Sequence, residues 1–225
     1  MKDDFLLQVF DLWFRYSNED GYILRGVNFT LNFGEIALIT GTNGSGKTTF
    51  LKLVSGLIKP DKGLILFNGK NIHSDTSYLK KIGFVPQNSE DLFLRKTVKD
   101  EILYSCENFE IANPEERLEE ACKLLDIDKE LLPRNPFSLS HGEAKRVALA
   151  AAVAHDPDLL ILDEPFVGLD KPGKRILENL LKIWKEKGKS VLLTSQRLNV
   201  LANVKVENYV LKEGTLIKID SHNLS

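Results

Sequence analysis

The sequence predicts an α/β fold: a core of buried strands and helices, with an antiparallel β portion and a helical subdomain grafted into the middle. Three observations point there. Short unbroken apolar runs such as Ile36–Thr40 and Leu159–Leu162 suit strands buried on both faces. The first stretch, Phe5 to Tyr16, alternates apolar and polar residues like a half-exposed strand. The middle third, by contrast, reads as helix.

Taken in order, the alternating strand ends at a turn over Asn18-Glu19-Asp20-Gly21, and Tyr22 to Asn32 is a second strand. Ile36 to Thr40 leads into a glycine-rich loop and a helix from Lys47 to about Ser55. Further strands are expected at Leu64–Phe67, Ile82–Val85, Leu159–Leu162 and Val191–Thr194. Two helices fill Val98 to Leu125, broken at Asn113-Pro114, and another runs from Gly142 to about Ala154. No element is assigned between Asp170 and Val191. Val204–Val210 and Gly214–Ile219, around Lys212-Glu213-Gly214, form a closing hairpin. The expectation is one domain over residues 1–225, with the helical subdomain at roughly 95–157.

The 225 residues are 43% apolar, enough for one sizeable core. With 30 basic and 32 acidic residues the net charge is −2, which argues against a nucleic-acid stripe or a polybasic membrane patch. Cys106 and Cys122 have no metal-like spacing and read as reduced thiols. The charged start does not resemble a signal peptide, and no run approaches the ~20 apolar residues of a spanning helix.

The strongest chemical signal is Gly41-Thr42-Asn43-Gly44-Ser45-Gly46-Lys47-Thr48, a G-x-x-x-x-G-K-[ST] phosphate loop. Its glycines let backbone N–H groups curl around phosphates, and the helix behind adds its positive end. Lys47 reaches the β- and γ-phosphates, the Thr48 hydroxyl ligands Mg²⁺, and Thr49 continues the nucleotide-contacting stretch. By composition the pattern arises by chance in roughly 1% of chains this long. The second signal is Leu159-Leu160-Ile161-Leu162-Asp163-Glu164, a buried strand ending in two carboxylates. Asp163 supports Mg²⁺ and Glu164 polarises an attacking water. Alone, such a strand end is usually just solvated; after a phosphate loop it gains meaning. Together these make the core a P-loop NTPase.

Ser138-Leu139-Ser140-His141-Gly142-Glu143, followed by Ala144-Lys145-Arg146-Val147-Ala148, resembles the Leu-Ser-Gly-Gly-Gln signature of ABC ATPases, just upstream of the Asp-Glu strand. Phe84-Val85-Pro86-Gln87 resembles that family's glutamine loop, Gly168-Leu169-Asp170 its dimer-contacting loop, and Tyr16 the aromatic that stacks on adenine. The resemblance covers nearly the whole chain. It implies ATP and Mg²⁺ as cofactors, with Gln87 near the metal. It also implies a head-to-tail dimer in which Ser140, Gly142 and Glu143 meet the ATP held by the facing chain. The run Pro86 to Phe93, then Thr97-Val98-Lys99-Asp100-Glu101-Ile102, and Asn135-Pro136-Phe137 are similar to the ATPases of energy-coupling factor (ECF) importers of vitamins or of cobalt and nickel. Those pair two ATPases with a transmembrane coupling protein and a substrate-binding membrane protein. The chain would then work at the cytoplasmic face of the membrane through these partners. Family chains often carry an extra C-terminal portion that is missing here.

Two positions depart from the family pattern. The signature holds His141 and Glu143 in place of Gly and Gln. After Val191-Leu192-Leu193-Thr194-Ser195 stands Gln196, where the family has a histidine that contacts the γ-phosphate. Glutamine donates a hydrogen bond but carries no charge. Gln196 therefore keeps open a degenerate regulatory module with little hydrolysis, beside the working ATPase. It also points to a heterodimer with a related chain. A soluble ABC protein of DNA repair or translation is the other rival, but the insertions usual there are missing. Finally, Leu92-Phe93-Leu94 reads either as a docking patch for a coupling helix or as packing within the helices.

Overall fold

The computed structural model describes residues 5–17, 19, 21–201 and 204–219. Asn18 and Asp20 of the expected turn lie outside these. Strands β1 (Phe5–Phe14), β2 (Leu24–Asn32), β4 (Lys62–Phe67) and the short β5 (Lys70–Asn71) form a four-stranded antiparallel sheet, ordered β2-β1-β4-β5. A second, six-stranded sheet is ordered β10-β9-β3-β8-β7-β6. Its strands are β3 (Ile36–Thr40), β6 (Ile82–Val85), β7 (Leu159–Leu162), β8 (Ser190–Ser195), β9 (Glu207–Lys212) and β10 (Thr215–Ile219). All its pairings are parallel except the closing hairpin β9–β10. The predicted hairpin is thus present. Glu213 and Gly214 both take positive φ, 52° and 82°, which gives the two-residue turn whose twist matches paired strands.

The unbroken apolar runs are explained by the core. Along β3, Ile36 and Leu38 face one buried cluster while Ala37 and Ile39 face the other. The same alternation holds for β7, with Leu160 and Leu162 on one side and Leu159 and Ile161 on the other. Both faces of the parallel sheet are covered, so period-2 patterning has no polar half to show. One cover is α1 (Lys47–Val54) with the antiparallel sheet. The other is built by α2 (Val98–Asn108), α3 (Pro114–Leu124), α4 (His141–Val153) and α5 (Lys171–Glu186).

Helix boundaries follow local chemistry. Thr97 Oγ1 accepts the Asp100 N–H at the start of α2, and Pro114 occupies the first turn of α3. The largest departure from the sequence reading is α5, where no element was expected. Its signals were present: Asp170 Oδ1 accepts the Gly173 N–H at 2.8 Å, and Leu177, Leu180, Leu181 and Trp184 recur on one buried stripe. The helices α2, α3 and α4 pack on one another, and α4 reaches back to β6. Cys106 and Cys122 are buried and unbonded in α2 and α3, and burial raises both thiol pKa values. Among the described residues no helix is long and apolar enough to cross a membrane.

Candidate functional site

Parallel strands place the site. β3, β8, β7 and β6 are neighbours running the same way, so their C-terminal ends lie along one edge. The phosphate loop leaves β3, Gln196 follows β8, Asp163-Glu164 follow β7, and Pro86-Gln87 follow β6. Four segments far apart in sequence thereby meet in one cleft of about 470 Å³. It is lined by Tyr16, Ile23, Asn43, Gly44, Gly46, Lys47, Thr48, Thr49, Gln87, Glu164 and Gln196, and its size suits a small-molecule ligand. Gly41, Thr42 and Ser45 line an adjoining hollow on the outer side of the loop.

The loop is shaped for an anion. Gly44 and Gly46 have φ of 78° and 102°, and a Cβ on Gly46 would meet Ile23 Cγ2 at 2.9 Å. Gly46 precedes α1 without a side-chain cap, and the first turn has no acidic residue, so the helix's orphan N–H groups and positive end stay available. The Ser45 hydroxyl is buried without a hydrogen-bond partner. Lys47, 7% exposed, donates to Gly41 O at 2.8 Å and Thr42 O at 3.2 Å, and lies 3.6 Å from Glu164 Oε1. Tyr16 is 58% exposed at the rim, steadied by its hydroxyl 3.2 Å from Thr49 Oγ1 and an edge contact with Phe14. That leaves its ring free to stack.

On the floor, Asp163 is 1% exposed and accepts hydrogen bonds from Thr48 Oγ1 and Thr194 Oγ1, each at 2.6 Å. The Thr194 hydroxyl also accepts the Glu164 N–H at 2.9 Å, so one buried side chain orders the Asp163 carboxylate and the Glu164 main chain. The sequence reading treated Thr194 only as strand. Glu164 takes a positive φ of 45°, uncommon for a non-glycine residue and a frequent companion of functional sites. Its Oε2 accepts the main-chain N–H of Gln196 at 3.2 Å, so that bond does not depend on the Gln196 side chain. Among the described residues no group of three or more His, Cys, Asp and Glu could hold a metal. Paired hard oxygens from Thr48 and Asp163, with Gln87 in the same cleft, suit an ion shared with phosphates rather than an all-protein cage.

The signature residues are elsewhere. Ser140, Gly142 and Glu143 line a separate cleft of about 420 Å³ with Gly168, Leu169 and Asp170, and it shares no residue with the phosphate-loop cleft. Glu143 is committed locally: its Oε2 accepts from Ser140 N at 2.8 Å and Ser140 Oγ at 2.7 Å, a capping box that lowers its pKa. The Ser-x-x-Glu spacing carried that signal. His141 is turned aside, its ring against Gly168 and its Nδ1 3.9 Å from Glu90. Lys145, in the run that follows the signature, is fully buried, and its Nζ donates to Gln87 O at 2.8 Å. Desolvation lowers its pKa, opposed by the charge of Asp163.

Of the Leu92-Phe93-Leu94 patch, Phe93 is turned inward. It is 5% exposed and edge-on to Phe137, whereas Leu94 is 69% and Phe137 63% exposed. Phe93 thus packs within the helices, while Leu94 stays on the surface.

A family model described as "ABC transporter" matches residues 24–167. The chain is 38% identical over 193 residues to energy-coupling factor transporter ATP-binding protein EcfA2 of Thermotoga maritima, covering 85% of this chain and 72% of that protein. It is 41% identical over 191 residues, 84% of its length, to a putative ABC transporter ATP-binding protein of Clostridium tetani, but spans only 43% of that longer relative. Among solved structures, cbiO1 of Clostridium perfringens, part of the ABC transporter complex cbiONQ, superposes with TM-score 0.81 at 30% identity, over 96% of this chain and 88% of that one. A dimeric ATP-binding cassette, MJ0796, in a post-hydrolysis state bound to ADP and Pi, superposes with TM-score 0.85 at 26% identity, over 96% and 99%. With its fold, its phosphate loop and these relatives in agreement, the chain belongs to the ABC transporter family, as one of its ATP-binding ATPases.

Proposed function

We propose that this chain is an ATP-hydrolysing subunit of an ECF-type importer of a micronutrient, working at the cytoplasmic face of the membrane beside a second ATPase chain, a transmembrane coupling protein and a substrate-binding membrane protein. The observation that carries the reading is the division into two clefts, one with the phosphate loop and one with the signature. Neither half serves one ATP alone, so a facing chain is required to supply the other. Relatives named for an energy-coupling factor transporter and for the cbiONQ complex, and the dimeric cassette, support it. In this reading residues 1–225 form one ABC ATPase domain, with a helical subdomain from about 95 to 157.

Tyr16 stacks on adenine, and the loop from Gly41 to Thr49 cradles the phosphates. Thr48, Gln87 and Asp163 would hold Mg²⁺, which supplies charge neutralisation at the β- and γ-phosphates. Glu164 takes the proton of the attacking water, with its carboxylate aimed by the Gln196 N–H and Lys47. Ser140 and Gly142 of the facing chain contact the same γ-phosphate. ATP, held from both sides, favours the closed dimer, and hydrolysis removes the bridge.

The Gln196 side chain is exposed in the cleft where the family has histidine. We infer that the working pair is a heterodimer, whose second site joins the partner's phosphate loop to Ser140 and Gly142 of this chain. Gln196→His should raise single-turnover hydrolysis at this chain's own site by about tenfold, since it leaves the Glu164–Gln196 main-chain bond in place and adds a group able to carry charge. Native mass of the assembled transporter tests the composition: a homodimer matching its full turnover, with no second ATPase present, rejects the heterodimer.

Docking of the coupling protein is assigned to the groove of about 220 Å³ lined by Leu92, Leu94, Tyr104 and Ala151. Phe93→Asp is a poor probe, because it would bury a charge in the core. Leu94→Asp is the clean one. Co-purification with the membrane partner should fall by at least about tenfold, as a disrupted interface anchor typically costs 1–2 kcal/mol or more, while ATP affinity stays unchanged. Undiminished assembly would remove Leu94 from the interface.

A further inference from the structure

Lys145 is a fully buried lysine that the catalytic scheme above does not use. It stands on α4, one turn beyond His141, and its Nζ donates to Gln87 O at 2.8 Å and reaches Pro86 O at 3.5 Å. Among the described residues it makes no ion pair within 4.0 Å. Taking an ammonium out of water costs several kcal/mol unless hydrogen bonds compensate. If packing volume were all that α4 needed here, Met or Leu would supply it without that cost. The charge is instead directed at two main-chain carbonyls, at the point where β6 ends and the nucleotide cleft begins. Main-chain carbonyls of a loop end have no ladder partner to hold them, so a buried cation there sets the loop's path. His141, at the start of the same helix, lies with its Nδ1 3.9 Å from Glu90 Oε1, just beyond the glutamine loop.

We propose that Lys145 is a positioning residue for Gln87: its ammonium fixes the Pro86-Gln87 main chain, so that the Gln87 side chain is presented to the nucleotide cleft and moves with the signature helix. The proposal rests on the reading of Gln87 as a residue that meets Mg²⁺ in the ATP site. Its consequence is mechanical. A displacement of the glutamine loop drags α4, and with it Ser140, because separating them would strand a buried ammonium without acceptors.

The test is the Mg²⁺ dependence of binding a non-hydrolysable ATP analogue to the full chain, followed by calorimetry. Lys145→Met should raise the Mg²⁺ concentration for half-maximal binding by about tenfold, the scale on which supporting partners of a metal ligand act, and leave Mg²⁺-free binding unaltered. Lys145→Arg should restore most of the loss, since it keeps a donor cation. Gln87→Ala should show the same shift, and adding Lys145→Met to it should add nothing further. A Lys145→Met protein that melts earlier but keeps the wild-type Mg²⁺ dependence overturns the proposal, as do two effects that multiply. If Gln87→Ala by itself leaves the dependence unchanged, the reading of Gln87 fails and the proposal falls with it. Should Lys145→Met not fold, Lys145→Gln, which keeps a donor without charge, is read against the same outcomes.

Discussion

Glu164→Gln is expected to bind ATP and dimerise but to turn over about a hundred- to ten-thousand-fold more slowly, the usual contribution of a positioned general base. The amide is nearly isosteric with the carboxylate. It can keep the acceptor for the Gln196 N–H at 3.2 Å, so the local geometry survives. What it loses is the ability to take a proton. It also removes a negative charge from a wall of the cleft proposed to hold the γ-phosphate, so ATP should hold at least as tightly. In the proposed dimer, binding without release traps the closed state, because nucleotide bridges the chains there. Size-exclusion chromatography in ATP and Mg²⁺, with the ATPase rate on the same fractions, gives both readouts. A variant that stays monomeric and hydrolyses at the wild-type rate would show that Glu164 is not the catalytic carboxylate.

Lys47→Ala is expected to abolish both tight ATP binding and turnover. Charge-assisted hydrogen bonds are worth about 1.5–3 kcal/mol each, so losing even one to the phosphates weakens ATP by roughly tenfold to a hundredfold. The loss of transition-state charge stabilisation adds to the effect on rate. The structure adds a second consequence. Glu164 is buried, and Lys47 Nζ is 3.6 Å from its Oε1. Without that cation the Glu164 carboxylate loses its ion-pair partner and is aimed by the Gln196 N–H alone. The variant should therefore hold its general base less well aimed, as well as lose affinity. Its fold should persist, because among the described residues the Lys47 ammonium has as polar partners only the loop carbonyls Gly41 O and Thr42 O and the Glu164 carboxylate, all within the cleft. Nucleotide titration and circular dichroism on the same sample separate the two. Unchanged affinity and turnover would remove this lysine from the site.

How much was legible beforehand depended on how locally each feature is encoded. The phosphate loop reads directly because its chemistry lies in eight consecutive residues, and glycine's tolerance of positive φ is a property of the residue itself. The Asp-Glu strand end, the glutamine loop and the signature were legible for the same reason. Helix α5 was equally legible through its Asp170 cap and its Leu177-Leu180-Leu181-Trp184 stripe, and was missed although the signals were there.

Other features were decided only by packing. Phe93 and Leu94 are adjacent and both apolar, yet one is 5% and the other 69% exposed, because Phe93 turns onto Phe137 and into the helical core. Lys145 looks like any basic helix residue until β6 is laid beside α4. Thr194 becomes the link between Asp163 and Glu164 only once β7 and β8 pair in register. By itself, then, the sequence determined where each motif lies and the strand and helix character of most segments, since these depend on residues a few positions apart. Which motifs share a cleft, which charge is buried and which face stays open were decided by the tertiary structure. Those properties arise from contacts between segments up to more than a hundred residues apart, such as Thr48 with Asp163, and it is the parallel strand order that brings such segments together.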